Sequence, residues 1–202
     1  MRLIIIRHAQ TEGNEKGIIQ GINDSDLTEL GRKQAKRLAI RLSKIKIDII
    51  YSSDLERCKK TIVPLLKMKK IPINYVKELR ERDYGIFNGK AGGDYVNWTK
   101  SHGGFNIDLK VPEGESHKDV IERTGKFLKK ILKSEKGKNV LIVAHGGSKR
   151  ALLMNLFDRR DQDYINETRE FSKNTAVTII NIKEDGKHHI ESFYSVEHLE
   201  DL

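Results

Sequence analysis

Cysteine is nearly missing from this sequence: Cys58 stands alone among 202 residues. One thiol can neither close an internal disulfide nor supply a cysteine-based zinc site, so neither an oxidising compartment nor a zinc-stapled fold is indicated. Aromatic residues make up only 6% of the chain, with a single tryptophan. The lysines are spread over Lys33 to Lys46, Lys59 to Lys70, Lys126 to Lys138 and Lys183 to Lys187 with little aromatic interleaving, a weak footprint for nucleic-acid binding. Long apolar runs are missing too. Met1-Arg2-Leu3-Ile4-Ile5-Ile6 meets a charge at Arg7, far short of a signal sequence or a membrane span, and cytoplasmic residence is the resulting expectation.

What is present is charge: 33% of residues against 37% hydrophobic, with a net charge of +9. This is too apolar for disorder and fits a single domain spanning 1–202 with a salt-rich surface suited to anionic substrates. The excess of Lys, Ile and Glu would suit a heat-adapted protein, and an AT-rich genome would favour the same Lys and Ile.

Leu3-Ile4-Ile5-Ile6, Ile47-Asp48-Ile49-Ile50-Tyr51 and Val140-Leu141-Ile142-Val143-Ala144 are short apolar runs rich in β-branched residues, the pattern of parallel strands buried on both faces. A helix from Leu30 carries Leu38, Ala39, Leu42 and Ile45 on one face, with Thr28 placed to cap it. Further helices are predicted from about Asp54 to Leu66, with Pro64 ending or kinking it, from about Ser116 to Leu132, and from near Ser148. Late strands at Ala176 to Ile182 and His189 to Tyr194 join across Glu184-Asp185-Gly186. The alternation predicts a three-layer α/β/α sandwich with a mostly parallel central sheet and chemistry at the strand carboxyl ends. Gly85 to Gly114 holds seven glycines and poor periodicity, and reads as an irregular, lid-like excursion at about 85–115.

Arg7-His8 sits where the first strand gives out, and His145 ends the Val140 run just before Gly146-Gly147 and a helix whose N-terminus favours anions. Arg57 lies one turn into the helix that follows the second strand. Each alone has a structural explanation, such as a hydrogen-bonded histidine at a strand end. Their convergence points to phosphoryl chemistry, because two guanidinium forks and an imidazolium match the non-bridging phosphoryl oxygens. His8 can then act as an in-line nucleophile if a backbone carbonyl fixes its tautomer, and Glu81 is the candidate acid; its alternative is a loop carboxylate paired with Arg80 or Arg82.

Arg7-His8-Ala9-Gln10-Thr11-Glu12-Gly13-Asn14 resembles the motif of the histidine phosphatase superfamily, whose fold is phosphoglycerate mutase-like. Leu27-Thr28, Ser52-Ser53-Asp54-Leu55 with Arg57 and Thr61, Leu79 to Gly85, Pro112-Glu113-Gly114-Glu115-Ser116, Ala144-His145-Gly146-Gly147 and Asn174-Thr175-Ala176-Val177 follow in the family's order. The resemblance implies that His8 is phosphorylated, that Arg7, Arg57 and His145 bind the phosphoryl group, and that Glu81 is proton donor and then base. It further implies that Asn14, Gln20, Gly21, Tyr84 and Gly146 help line the substrate pocket, and that no metal or organic cofactor takes part. Ala9 replaces the commoner glycine, which a negative φ would tolerate.

The family's mutases carry a paired arginine and a lysine in the long loop. Here Gly85 to Lys110 has no arginine, and Gly92 stands at the lysine's position, two beyond Lys90. A weaker grip on a second anionic group favours hydrolysis of a small phosphorylated metabolite over cofactor-dependent phosphoglycerate mutase action. Resemblance to fructose-2,6-bisphosphatase-like and α-ribazole-phosphate phosphatase stretches leaves the substrate open. A catalytically silent basic adaptor or nucleic-acid binder is the alternative of another class, and there is room for a homodimer. Asp24-Ser25-Asp26 lacks the buried strand an aspartate nucleophile needs, Cys58 lacks an arginine six residues on, and Gly146-Gly147-Ser148-Lys149 lacks P-loop spacing.

Overall fold

The computed structural model describes residues 1–104, 106–159, 164, 172–200 and 202. One six-stranded sheet runs through it in the order β3-β2-β4-β1-β5-β6. The three apolar runs form its centre as β1 (Arg2–Arg7), β2 (Ile49–Ser53) and β4 (Asn139–Ala144). They pair in parallel, with Leu3 opposite Val140 and Ile50 opposite Leu141. β5 (Val177–Ile182) and β6 (His188–Ser195) add an antiparallel hairpin on β1, and β3 (Ile73–Val76) closes the other edge in parallel with β2.

The period-2 alternation of strands divides the core. Ile4 and Ile6 face one layer with Leu141 and Val143, packed by α2 (Glu29–Ser43) and α3 (Glu56–Met68). Leu3 and Ile5 face the other with Val140 and Ile142, packed by α5 (His117–Ser134) and α6 (Gly146–Phe157). Helices thus flank both faces of a mostly parallel sheet, as expected. The predicted cap is present, Thr28 accepting from Gly31 N–H at 2.9 Å; Ser116, where the third helix was expected to start, forms a reciprocal capping box with Asp119.

Several expectations need correcting. β2 starts and ends two residues later than its apolar run, because Ser52 and Ser53, both fully buried, extend the strand into the site where their hydroxyls find partners. β3 is a short edge strand with half its residues exposed, too weak a pattern to find. The excursion is not wholly irregular: α4 (Gly92–Ser101) lies within it, and having no buried residue it carries no apolar stripe to predict it. α3 runs through Pro64 to Met68, and α6 begins at Gly146 rather than near Ser148.

Candidate active site

The carboxyl ends of β1, β2 and β4 bring His8, Arg7, Arg57 and His145 together. The His8 and His145 rings lie 5.1 Å apart. His8 N–H extends the β1–β4 ladder to Ala144 O at 3.0 Å, and its side chain is 3% exposed. Its Nδ1 lies 2.8 Å from Ala9 O, so Nδ1 carries the hydrogen and donates it, leaving Nε2 with a free lone pair. Burial first, then Arg57 and Arg7, holds the imidazole well below its ordinary pKa. A neutral imidazole of fixed tautomer is the result. Ala9 has no positive φ, which removes the need for glycine there, and its N–H donates to Thr61 Oγ1 at 2.9 Å.

Behind His8 the backbone is held in place. Asn174 Nδ2 and Thr175 N–H both donate to His8 O, at 2.9 and 3.3 Å. Thr175 does so at φ +57, a costly conformation for a β-branched residue and one that concentrates at working sites.

Arg57 is 1% exposed and held on several sides. Its Nη2 donates to Gly21 O at 2.6 Å, its Nη1 to Asn23 O at 2.7 Å and to Asp24 Oδ1 at 2.9 Å, and its Nε to His145 Nδ1 at 3.1 Å. Asp24 also accepts from the Glu56 and Arg57 backbone N–H groups, so it caps α3 from across the fold while orienting the arginine. The sequence reading had set Asp24 aside as a loop carboxylate.

His145 requires a correction of state. Because Nδ1 accepts from a guanidinium and Nε2 lies 2.8 Å from Ser53 Oγ, the ring is neutral, and burial with Arg57 and His8 keeps it so. It holds Arg57 in place and does not bring the positive charge expected. Cys58 packs against it, with Sγ 3.4 Å from Nε2, as an inert thiol that burial pushes up to about 12.

Glu81 spans two N–H groups, Oε2 accepting from Gly147 at 3.0 Å and Oε1 from Arg82 N at 2.9 Å. It makes no ion pair with Arg80, which grips Asp54 instead. Glycine at 147 leaves room for the carboxylate, since a β-carbon there would stand 2.3 Å from Glu81 Oε1 and would push that side chain aside. Lys149 turns away from the site to donate to Ala176 O at 2.8 Å, so the helix start is no P-loop.

A cavity of about 470 Å³ is lined by Arg7, Glu81, Gly146, Gly147 and Ser172 together with Tyr84, Tyr95 and Arg82, while His8, Arg57 and His145 lie behind its lining. That volume suits a small metabolite. Arg7 Nη1 donates to Ser172 O, while Arg7 Nε and Ser172 Oγ are buried without hydrogen-bond partners, beside the N-terminus of α6. Unpaired donors next to a helix N-terminus are what an anion would satisfy. Ser172 was missed by sequence reading, having no motif of its own.

The remaining expected pocket residues are placed differently. Asn14 Oδ1 serves Thr11 in a capping box and accepts from Asn174, and Gln20 Oε1 accepts from Ser25 at 2.8 Å. Gly21, at φ +52, offers its carbonyl to Arg57. None of these three lines the main cavity, whereas Tyr84 and Gly146 do. Among the described residues, no group of three or more His, Cys, Asp or Glu gathers to hold a metal ion.

This geometry, a neutral histidine with two arginines beside it and a carboxyl close to one of them, defines a class. The model of the histidine phosphatase superfamily (branch 1) matches residues 3–193, and the chain belongs to that superfamily. A metal-independent phosphoserine phosphatase of Arabidopsis thaliana is 33% identical, covering 98% of this chain and 82% of its own length. A 2,3-bisphosphoglycerate-dependent phosphoglycerate mutase of Xanthobacter autotrophicus is 36% identical over 76% of this chain and 80% of its own. Among solved structures, YhfR of Bacillus stearothermophilus superposes with a TM-score of 0.85 at 30% identity, covering 98% of this chain and 99% of that one. The chain is a phosphoric monoester hydrolase by this kinship. No helix among the described residues is long and apolar enough to cross a membrane.

Proposed function

We propose that this enzyme hydrolyses phosphomonoesters of small metabolites in the cytoplasm, as one domain, through a phosphohistidine on His8 and without a metal ion. The observation that carries this is His8 itself: Nδ1–H is given to Ala9 O, Nε2 is unprotonated, and two arginines stand beside it. In the first step the Nε2 lone pair forms the N–P bond as the ester P–O bond breaks, and the departing alkoxide takes a proton from the Glu81 carboxyl. In the second, water attacks phosphorus and gives a proton to the Glu81 carboxylate. The N–P bond breaks, and its electron pair returns to His8. Arg7, Arg57 and the start of α6 stabilise the equatorial oxygens, and His145, which accepts from Arg57 Nε, holds that arginine in place.

The test is hydrolysis of a panel of phosphomonoesters with and without EDTA. Turnover unchanged by EDTA is expected; activity abolished by EDTA and restored by Mg²⁺ would overturn the assignment.

A second reading has one observation in its favour. The argument against mutase action rested on the lack of arginines in Gly85 to Lys110, yet the fold supplies Arg82 and Arg150 to the cavity from outside that window. Incubation with 3-phosphoglycerate and a trace of 2,3-bisphosphoglycerate separates the two. We expect phosphate release to outrun 2-phosphoglycerate formation, and faster isomerisation would make the mutase reading the correct one.

A further inference from the structure

Glu81 carries the proton in the proposed reaction, yet it stands on neither a strand nor a helix. Residues 80–84 run between two short 3-10 turns, Lys77–Leu79 and Gly85–Phe87, so the backbone here has no ladder to bond into. Four consecutive carbonyls are taken by side chains instead. Ser148 Oγ donates to Leu79 O at 3.0 Å, and Arg123, in α5, takes the other three. Its Nη1 donates to Glu78 O at 2.8 Å and to Arg80 O at 2.9 Å, and its Nη2 to Glu81 O at 3.0 Å.

The remaining donors of Arg123 close on a carboxylate. Nε and Nη2 reach the two oxygens of Glu115 at 2.7 and 2.9 Å, which fills all five N–H positions of the guanidinium. Glu115 also accepts from Asp83 N–H at 3.0 Å, and its own N–H donates to Asp83 O at 2.8 Å. Glu81 is therefore gripped at its own carbonyl by Arg123 and, two residues on, through Glu115. Neither Arg123 nor Glu115 is among the residues that line the cavity, so the pair acts on the backbone of the loop and not on a bound ester.

We propose that Arg123, locked by Glu115, is a positioning residue for proton transfer: it sets where the Glu81 carboxyl stands relative to the departing oxygen. This rests on the phosphatase reading above. Proton transfer needs hydrogen-bond reach, and a displacement of about 1 Å at a reacting group can cost on the order of 10²-fold. The rigid fork of arginine spans three carbonyls and a carboxylate at once, which the point charge of lysine cannot do.

The test exploits the leaving group. kcat/KM covers the steps up to departure of the alcohol, and it is measured on p-nitrophenyl phosphate and on the alkyl phosphate that the wild type hydrolyses best. Arg123→Met should lose about 10–10²-fold on the alkyl ester and less than about 3-fold on the aryl ester, whose leaving group needs little protonation. Arg123→Lys should recover only part of the loss. In the double variant Glu81→Gln with Arg123→Met, the alkyl loss should stay close to that of Glu81→Gln alone, because a group that can no longer donate is not made worse by being misplaced.

A residue that only held the fold together would lower both esters alike, and its effect would multiply with that of Glu81→Gln. Either result would overturn the proposal. If Arg123 variants do not fold, Glu115→Gln decides by the same measurements: it keeps the shape but weakens the charged lock, and should cost about 3–10-fold on the alkyl ester alone. A wild type that releases phosphate from neither ester fails the phosphatase reading itself and this inference with it. Hydrolysis of both, with Arg123→Met falling equally on each, fails the inference alone.

Discussion

Two regions of the site are built by different means. At the phosphoryl end, side chains sit on strand ends and are over-determined: Arg57 makes four side-chain hydrogen bonds, and the His8 carbonyl takes two. Elsewhere on the cavity wall, Arg82 lies against the rings of Tyr84 and Tyr95, and Tyr95 comes from α4, a helix with no buried residue. One end is rigid and prepaid in backbone order, as fixed chemistry demands; the other rests on a loosely seated element, where substrate preference can change without disturbing the core.

The largest effect that could break this contrast is at the nucleophile. His8→Ala should lower turnover by more than about 10⁴-fold on every ester, because the covalent route is gone. Next comes charge and proton handling. His145→Ala should cost about 10²–10³ in kcat, the size of misplacing one preorganised donor, because Arg57 Nε loses its partner, while a phosphoenzyme still forms slowly. Glu81→Gln should lose about 10²–10⁴ on alkyl phosphates but far less on p-nitrophenyl phosphate, whose leaving group needs little protonation. Equal losses on both would remove Glu81 from its role.

Smaller effects sharpen the claim of rigidity. Asp24→Ala removes the cap on α3 and a partner of Arg57, so chemical denaturation should show a loss of about 1–2 kcal/mol together with reduced kcat. An unchanged kcat would mean that Asp24 caps the helix without orienting the arginine.

The remaining prediction concerns pH. His8 and His145 are held well below the ordinary histidine value, and His117 and His198 lie at about 2 and 4. Folded-state values below unfolded ones mean that the unfolded chain binds more protons. Stability is therefore full above about pH 6.5 and falls as the pH drops below it, by up to about 1.4 kcal/mol per pH unit for each histidine. Melting curves from pH 7 to 5 should show this, and His117→Phe should flatten the slope by one histidine's share. A flat profile in the wild type would mean that these rings are protonated in the fold.

How much of this was legible in the sequence follows the same division. The central strands were found because β-branched runs buried on both faces leave an unbroken apolar signal, and His8, Arg57 and His145 followed from standing at or just past their ends. What was hidden depends on contacts distant in sequence. Asp24 reaches Arg57 across 33 positions, and the neutral state of His145 is set by a guanidinium 88 positions away. Arg82 was visible only as a neighbour of Glu81, because its contact with Tyr95 joins it to a helix 13 positions away that the sequence pattern does not show. α4 escaped because a helix that buries nothing carries no periodic stripe.

The central claim is a covalent phosphohistidine at the rigid end, and rapid quench with ³²P-labelled phosphoserine or p-nitrophenyl phosphate tests it most directly. The account predicts a burst of acid-labile, base-stable label on the peptide bearing His8, absent in His8→Ala and present in Arg82→Leu. Turnover with no label trapped on any histidine, or label that persists in His8→Ala, would contradict it.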